Sequence, residues 1–365
     1  MTATAATERI PIARSAGPRI GQLDALRGFA LGGILLVNIQ QMLRMTGIVD
    51  MQKLPAAHFL DLTAHQRFFP LFSLLFGVGF GIFLQRAQSK AQSAQSEAQS
   101  AQSEAQSAQP EKLRPRLLLL RRLVALGVLG VAHEFLQPGE ALLPYAIAGI
   151  VFLLPLSWAP RWVNLAVGLT ITAVPVALTG GGLQLVPGLL VTGFALAQFG
   201  LPYALDRIGP QLLIVFAIAV AGSVAALLWQ EQDPLGAGFD TPSGVAGLTM
   251  AVAYATGLLL IVRTRVGRLF APTLEALGRM ALTNYITATL LVLSFGPLLG
   301  LKGNSTAWPA LFGLAAAILV VQALWSRWWL ARFRYGPLEW AWRCVTWWSL
   351  VDLRRPAPVT GPVNG

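Results

Sequence analysis

The sequence predicts an all-α protein, a polytopic bundle of about ten transmembrane helices with both termini cytoplasmic, and three observations predict it. Of 365 residues, 55% are hydrophobic and only 12% charged, whereas a soluble domain carries about 25% charged residues. Apolar runs recur at 22–43, 66–86, 117–136, 140–157, 162–180, 183–200, 210–229, 243–262, 277–299 and 306–328, each near the roughly 20 residues that cross a bilayer as a helix. With the N-terminus inside, only Arg44, Lys53, Arg67 and Lys302 among the basic residues flanking these runs fall outside, as the positive-inside rule requires.

The net charge of +11 is therefore topological and calls for no nucleic-acid partner. Cys344 is the single cysteine, which excludes a disulfide framework and a thiolate metal site. Residues 1–21 lack a short apolar core followed by a small-residue cleavage site and read as a retained cytoplasmic tail. The bundle proper spans 22–333, and 334–365 form an interfacial Trp-rich segment and tail. The multi-pass architecture places the protein in the cell membrane.

The first helix, LDALRGFALGGILLVNI, carries Asp24, Arg27 and Asn38. At about 100° per residue these three fall with Leu31 and Leu35 within roughly 80° of one another. An unpaired ionisable group in a bilayer costs at least about 2.5 kcal/mol, so the stripe should face the protein interior, with Asp24 and Arg27 paired at i and i+3. Gly28 and Gly32 here, and Gly77 and Gly81 in the second span, have the small-residue spacing of closely packed helices. They predict that the first two spans pack on each other. Ser73 shares the second helix without a clear role.

Between the second and third spans, 87–112 is built on the repeat AQSAQSE. Its apolar positions are only alanines, which suits a flexible or partly helical cytoplasmic linker better than a coiled coil. The third span ends in GVAHEFLQPGEALLPYAIAG, where His133, Glu134 and Glu140 cluster around a Pro138-Gly139 turn. A histidine beside a carboxylate suits general acid-base chemistry, so His133 and Glu140 are the candidate catalytic residues. A hydrogen-bonding role at a helix end is the plainer alternative.

His58, Asp61 and His65 have spacings compatible with metal ligands, but a solvated interfacial helix explains them better, and no metal site is assigned. Gly180, Gly181 and Gly182 break the stretch 162–200 into a hairpin. The loop from Gln230 to Ser243 is acidic, compatible with an outer position. In LEALGRMALTNYITATLL, Glu275 and Arg279 are spaced as an i,i+4 pair with Thr283 on much the same face; Asn284 and Tyr285 need partners from protein or trapped water. After the last span, Gly336 and Pro337 break the chain before a Trp-rich segment with Glu339 and Arg343, read as an amphipathic helix on the cytoplasmic interface.

Together LDALRGFALGGILLVNI, FPLFSLLFGVGFG, the His133 segment with PYAIAG, and GRMALTNY followed by RFRYGPLEWAWR resemble the YeiB-like membrane family, domain of unknown function 418, in the family's order and over nearly the whole chain. Glu140-Ala141-Leu142 departs from the family's usual Asp-Ile-Leu by one methylene at the acid. The opening helix is also similar to that of the heparan-glucosaminide N-acetyltransferases, and more loosely to other multi-helix membrane acyltransferases. That comparison matches Asp24, Arg27, Gly28 and Asn38. The catalytic histidine of those enzymes would fall at Val49, so that role does not transfer, and His133 or His58 would have to supply the base.

The resemblance implies transfer of an acyl group from cytosolic acyl-CoA to an acceptor at the outer face, a small molecule or a glycan or lipid-linked group. Asp24, Arg27, Asn38, Arg279 and Asn284 would bind substrate or acyl-CoA, and no covalently bound cofactor is implied. The alternative is a transporter or export protein without covalent chemistry, in which the same polar residues line a route through the bundle. A third reading makes them structural glue.

Overall fold

The computed structural model describes residues 19–45, 55–101, 114–232 and 240–355. Most of the N-terminal tail, Val49, the 102–112 part of the Ala/Gln/Ser segment and residues 356–365 lie outside these. In chain order the helices are α1 (Gly21–Met42), α2 (Pro55–Thr63), α3 (Phe68–Ala101), α4 (Pro115–Glu134) and α5 (Leu142–Ala148), which runs through a π turn into α6 (Leu154–Leu156). Then follow α7 (Arg161–Thr179), α8 (Val186–Gln198), α9 (Leu201–Ala204), α10 (Gly209–Gln230), α11 (Thr241–Ile261), α12 (Arg265–Arg279), α13 (Ala281–Phe295), α14 (Trp308–Arg332) and α15 (Pro337–Trp347). Among the described residues β structure is confined to one isolated bridge, Phe333 with Arg354.

All ten apolar runs are helical, but length and composition separate them. Among the described residues six segments are long and apolar enough to cross a membrane, α1, Pro55–Ser96, α7, α10, α11 and α14, and a bent α12–α13 pair would make seven. Helix α4 has the length but carries Arg116, Arg121, Arg122 and Glu134. The glycine hairpin forms as expected, with Gly180, Gly181 and Gly182 all at positive φ. The α8 that follows has 13 residues, roughly 20 Å of helix against a hydrocarbon layer of about 30 Å. Helix α3 continues to Ala101, so the first part of the Ala/Gln/Ser repeat is helical.

The burial pattern is that of a bundle in lipid. Only 22% of the apolar window of α10 is buried, and Leu213, Ile214, Ile218, Val224 and Leu228 stand exposed on it. A contiguous apolar face of this kind is tolerated in lipid and not in water. The apolar window of the segment containing α3 is 67% buried, and α3 forms the centre.

The small-residue helices α1 and α3 pack on each other, but their closest backbone approaches are to other helices. A Cβ on Gly77 would strike the Leu190 carbonyl of α8, and one on Gly193 the Leu74 carbonyl of α3. Likewise a Cβ on Gly28 would strike the Leu274 carbonyl of α12, and one on Gly278 the Asp24 carbonyl of α1. Each tight crossing has a glycine on both sides, which lets two backbones touch. The expected α1–α3 packing is present, but the glycine-lined backbone crossings are α1–α12 and α3–α8.

The run 277–299 is not one helix. Helices α12 and α13 meet at Met280 with an 81° bend, which removes Thr283 from the face of Glu275 and Arg279. Among the described residues these two form no ion pair; Arg279 donates to the Arg334 carbonyl at 3.4 Å. The bend leaves the N-terminus of α13 to be capped from α15. Glu339 Oε1 accepts from the Leu282 and Thr283 amides at 2.7 and 3.0 Å, and its Oε2 accepts from Thr283 Oγ1 at 2.7 Å. A carboxylate satisfies both the orphan N–H groups and the positive end of the helix dipole. The Trp-rich segment is therefore docked into the bundle through Glu339, a tie that its amphipathic pattern did not reveal.

Candidate functional site

The polar stripe of α1 faces a cavity of about 2260 Å³ that Asp24, Arg27 and Asn38 all line. Ile20 and Gln41 both line it, so it runs roughly 30 Å along α1 at about 1.5 Å per residue. Arg27 Nη1 donates to Asp24 Oδ1 at 2.9 Å, the pair expected from spacing. Gly79 of α3 makes room for this guanidinium, since a Cβ there would lie 3.0 Å from Arg27 Nη2.

One end of the cavity is basic. Nine cationic side chains line the cavity, among them Arg27, Arg122, Arg279 and Arg343, against the carboxylates Asp24, Asp61, Glu339 and Asp352. Of the acids, Asp24 is taken by Arg27 and Glu339 by α13. The middle is aromatic: Phe69, Phe72, Phe76 and Phe80 occupy successive turns of α3, and Tyr145 and Tyr285 close the wall. Phe76 and Tyr145 have ring centroids 5.0 Å apart, and the hydroxyls of Ser73 and Tyr145 lie 2.9 Å apart. Ser73 thus orients an aromatic wall residue.

The other end is polar and holds His65 and Asp61. His65 Nδ1 lies 3.4 Å from Asp61 Oδ1, and its Nε2 lies 2.6 Å from Gln40 Oε1. Asp61 Oδ2 accepts from Gln230 Nε2 at 3.1 Å. Arg67, fully buried, donates to Gln230 Oε1 at 2.7 Å and to the His65 carbonyl at 2.6 Å. The imidazole is therefore oriented from both ring nitrogens, and its carboxylate is held in turn. His58 leaves this group and pairs with Glu231 at 3.3 Å. Among the described residues no three His, Cys, Asp or Glu side chains converge as a metal set.

The remaining candidates divide. His133 and Glu140 do come together, Nδ1 to Oε2 at 3.4 Å, but at 2% and 1% exposure neither lines the cavity. They sit behind the wall: the His133 ring packs 5.0 Å from Tyr285, its Nε2 lies 3.0 Å from Thr289 Oγ1, and Glu140 accepts from the Leu142 amide at 2.6 Å as the cap of α5. Glu134 accepts from the Gly139 amide at 2.9 Å and so closes the turn. Arg279 lines the cavity. Asn284 does not; it donates to the Leu277 carbonyl at 3.1 Å and to Ser326 Oγ at 3.0 Å, tying α13 to α14. Sequence reasoning overlooked His65 with Asp61 as a dyad, although their i,i+4 spacing was visible, and treated Arg122 only as a topological charge.

Residues 203–349 match the family described as "Protein of unknown function (DUF418)". Over 360 residues the chain is 33% identical to the "Uncharacterized 39.9 kDa protein in amylase 3'region" of Bacillus acidopullulyticus, covering 90% of this chain and 94% of that protein. The chain belongs to the YeiB-like DUF418 family. This YeiB-like protein is also 29% identical to YxaH of Bacillus subtilis (strain 168), over 93% of its own length and 97% of that chain. To YeiB of Escherichia coli (strain K12) it is 24% identical over 89% and 95%. The likeness is thus nearly full-length and extends well beyond the 203–349 segment. No solved structure matches.

Proposed function

We propose that this YeiB-like protein moves an acyl group from cytosolic acyl-CoA to a hydroxyl or amine acceptor at the outer face, through a bundle of ten membrane-crossing helices with both termini in the cytoplasm. The observation that supports this reading is the continuous cavity along α1, basic at one end, aromatic in the middle and ending on a histidine–carboxylate dyad. Guanidinium groups suit the phosphates of CoA, and the aromatic stretch suits its acyl arm. At the far end the acceptor displaces Gln40 from His65 Nε2, His65 takes the acceptor's proton there, the acceptor oxygen or nitrogen attacks the thioester carbonyl, and the C–S bond breaks. The CoA thiolate leaves and receives the proton from His65. His133 and Glu140 act in this reading by holding Tyr285 and α5, and acyl-CoA is the co-substrate.

The test is binding and turnover by the reconstituted protein with labelled acetyl-CoA. Saturable CoA binding together with thioester cleavage or transfer is expected; absence of CoA binding overturns the reading. The continuity of the cavity along α1 also favours a carrier without covalent chemistry. Solute flux into vesicles that persists without acyl-CoA would select that alternative.

A further inference from the structure

Arg122 enters the basic end of the cavity from α4 with its guanidinium stacked between two rings, 3.8 Å from the Trp342 centroid and 5.0 Å from that of Phe83. Among the described residues no carboxylate pairs with it, and its Nε has no hydrogen-bond partner. The charged neighbours that act on it are Arg343 and Arg27, and both repel it. Arg27 already has Asp24. Arg343 comes from α15 and sits 4.4 Å over the Tyr335 ring, again without a carboxylate. Cation–π contact compensates a guanidinium on its faces, and leaves its edge N–H groups available. Those edges are what recognise phosphate in a bidentate manner.

Like charges gathered on a cavity wall, with their faces covered and their edges open, call for an anion, because a buried unpaired charge is costly. Next to them the wall turns aromatic along α3 at Phe80 and Phe76. We infer that this end of the cavity binds a phosphate-bearing amphiphile, its phosphate held between Arg122 and Arg343 and its apolar chain laid along Phe80 and Phe76 toward Tyr145. Acyl-CoA is one source of that chemistry and an anionic lipid another; the inference rests on the acyl-transfer reading only for the first. Because Arg122 belongs to the bundle and Arg343 to the docked C-terminal segment, the phosphate would also bridge the two and stabilise the folded protein by mass action.

The full-length protein in neutral detergent is titrated with oleoyl-CoA, with oleoyl lysophosphatidic acid and with the uncharged monooleoylglycerol, and affinity and thermal stability are read together. Both phosphate ligands, or the lipid alone, should raise the melting temperature, the uncharged one should not, and Arg122→Gln or Arg343→Gln should weaken binding about tenfold or more. Arg343 lies outside the spanning helices, so its variant remains informative if Arg122→Gln fails to fold. Lys302→Gln, outside the cavity lining, should bind as the parent does. Lipid binding without CoA binding removes the acyl-CoA reading and leaves this inference standing. Equal binding of the uncharged ligand, unchanged affinity in the Arg343 variant, or no binding of either phosphate ligand overturns it.

Discussion

Glu339 shows how one side chain can govern a junction. Burial pushes its carboxyl above the usual 4.5, and the hydrogen bonds from Thr283 and Leu282 partly hold it back. A carboxyl whose folded pKa is raised favours the folded state most when protonated, so its contribution falls as pH rises above about 4.5 and through the folded value. Glu339→Gln, which keeps an acceptor but cannot ionise, should therefore flatten the pH dependence of thermal unfolding above that point. On the acyl-transfer proposal, His65→Gln at the other end of the cavity should lower thioester turnover on the order of 10²–10⁴-fold, the usual range for general-base loss, while leaving CoA affinity within about twofold. His133→Ala should behave differently. It strips a partner from buried Glu140 and Thr289 and should cost about 1–3 kcal/mol of stability, read as a lower melting temperature.

At the scale of elements, the glycines separate tolerated from forbidden change. Gly28 and Gly77 each face a carbonyl of the crossing helix, so Gly77→Val must push α3 from α8 and should cost about 1–3 kcal/mol or more. Gly32 shares the motif spacing, yet a Cβ there meets only the Leu319 methyls at 3.6 and 3.8 Å, ordinary contacts. Gly32→Ala should leave the melting temperature nearly unchanged. The spacing identified glycines on helix surfaces but was silent about their partners, since small-xxx-small describes one helix and a crossing needs two. The 81° bend at Met280 was invisible for a related reason: no proline stands near Met280 in the run 277–299, and the bend is stabilised by Glu339, 57 residues from Leu282 in the chain.

For the whole molecule, the proposed ten-span topology places Ser93, exposed on α3, inside and Ser305, before α14, outside. In a Cys344→Ser background, a membrane-impermeant maleimide added to intact cells should label Ser305→Cys and spare Ser93→Cys. The reverse pattern, or labelling of both, would remove that topology.

Composition, hydropathy period and the placement of arginine sufficed for an all-helical membrane bundle and for the inward polar stripe of α1, and the resemblance of four motif stretches pointed to the family. These properties live within single segments, where 3.6 residues per turn decides which side chains share a face. Only the tertiary structure decided which helix each face meets. It put His133 and Glu140 behind Tyr285, brought His65 and Asp61 to the cavity, and turned Arg122 from a topological charge into a residue of the cavity wall. Contacts between distant segments depend on matching shapes and charges across space, and spacing along one helix carries no record of them.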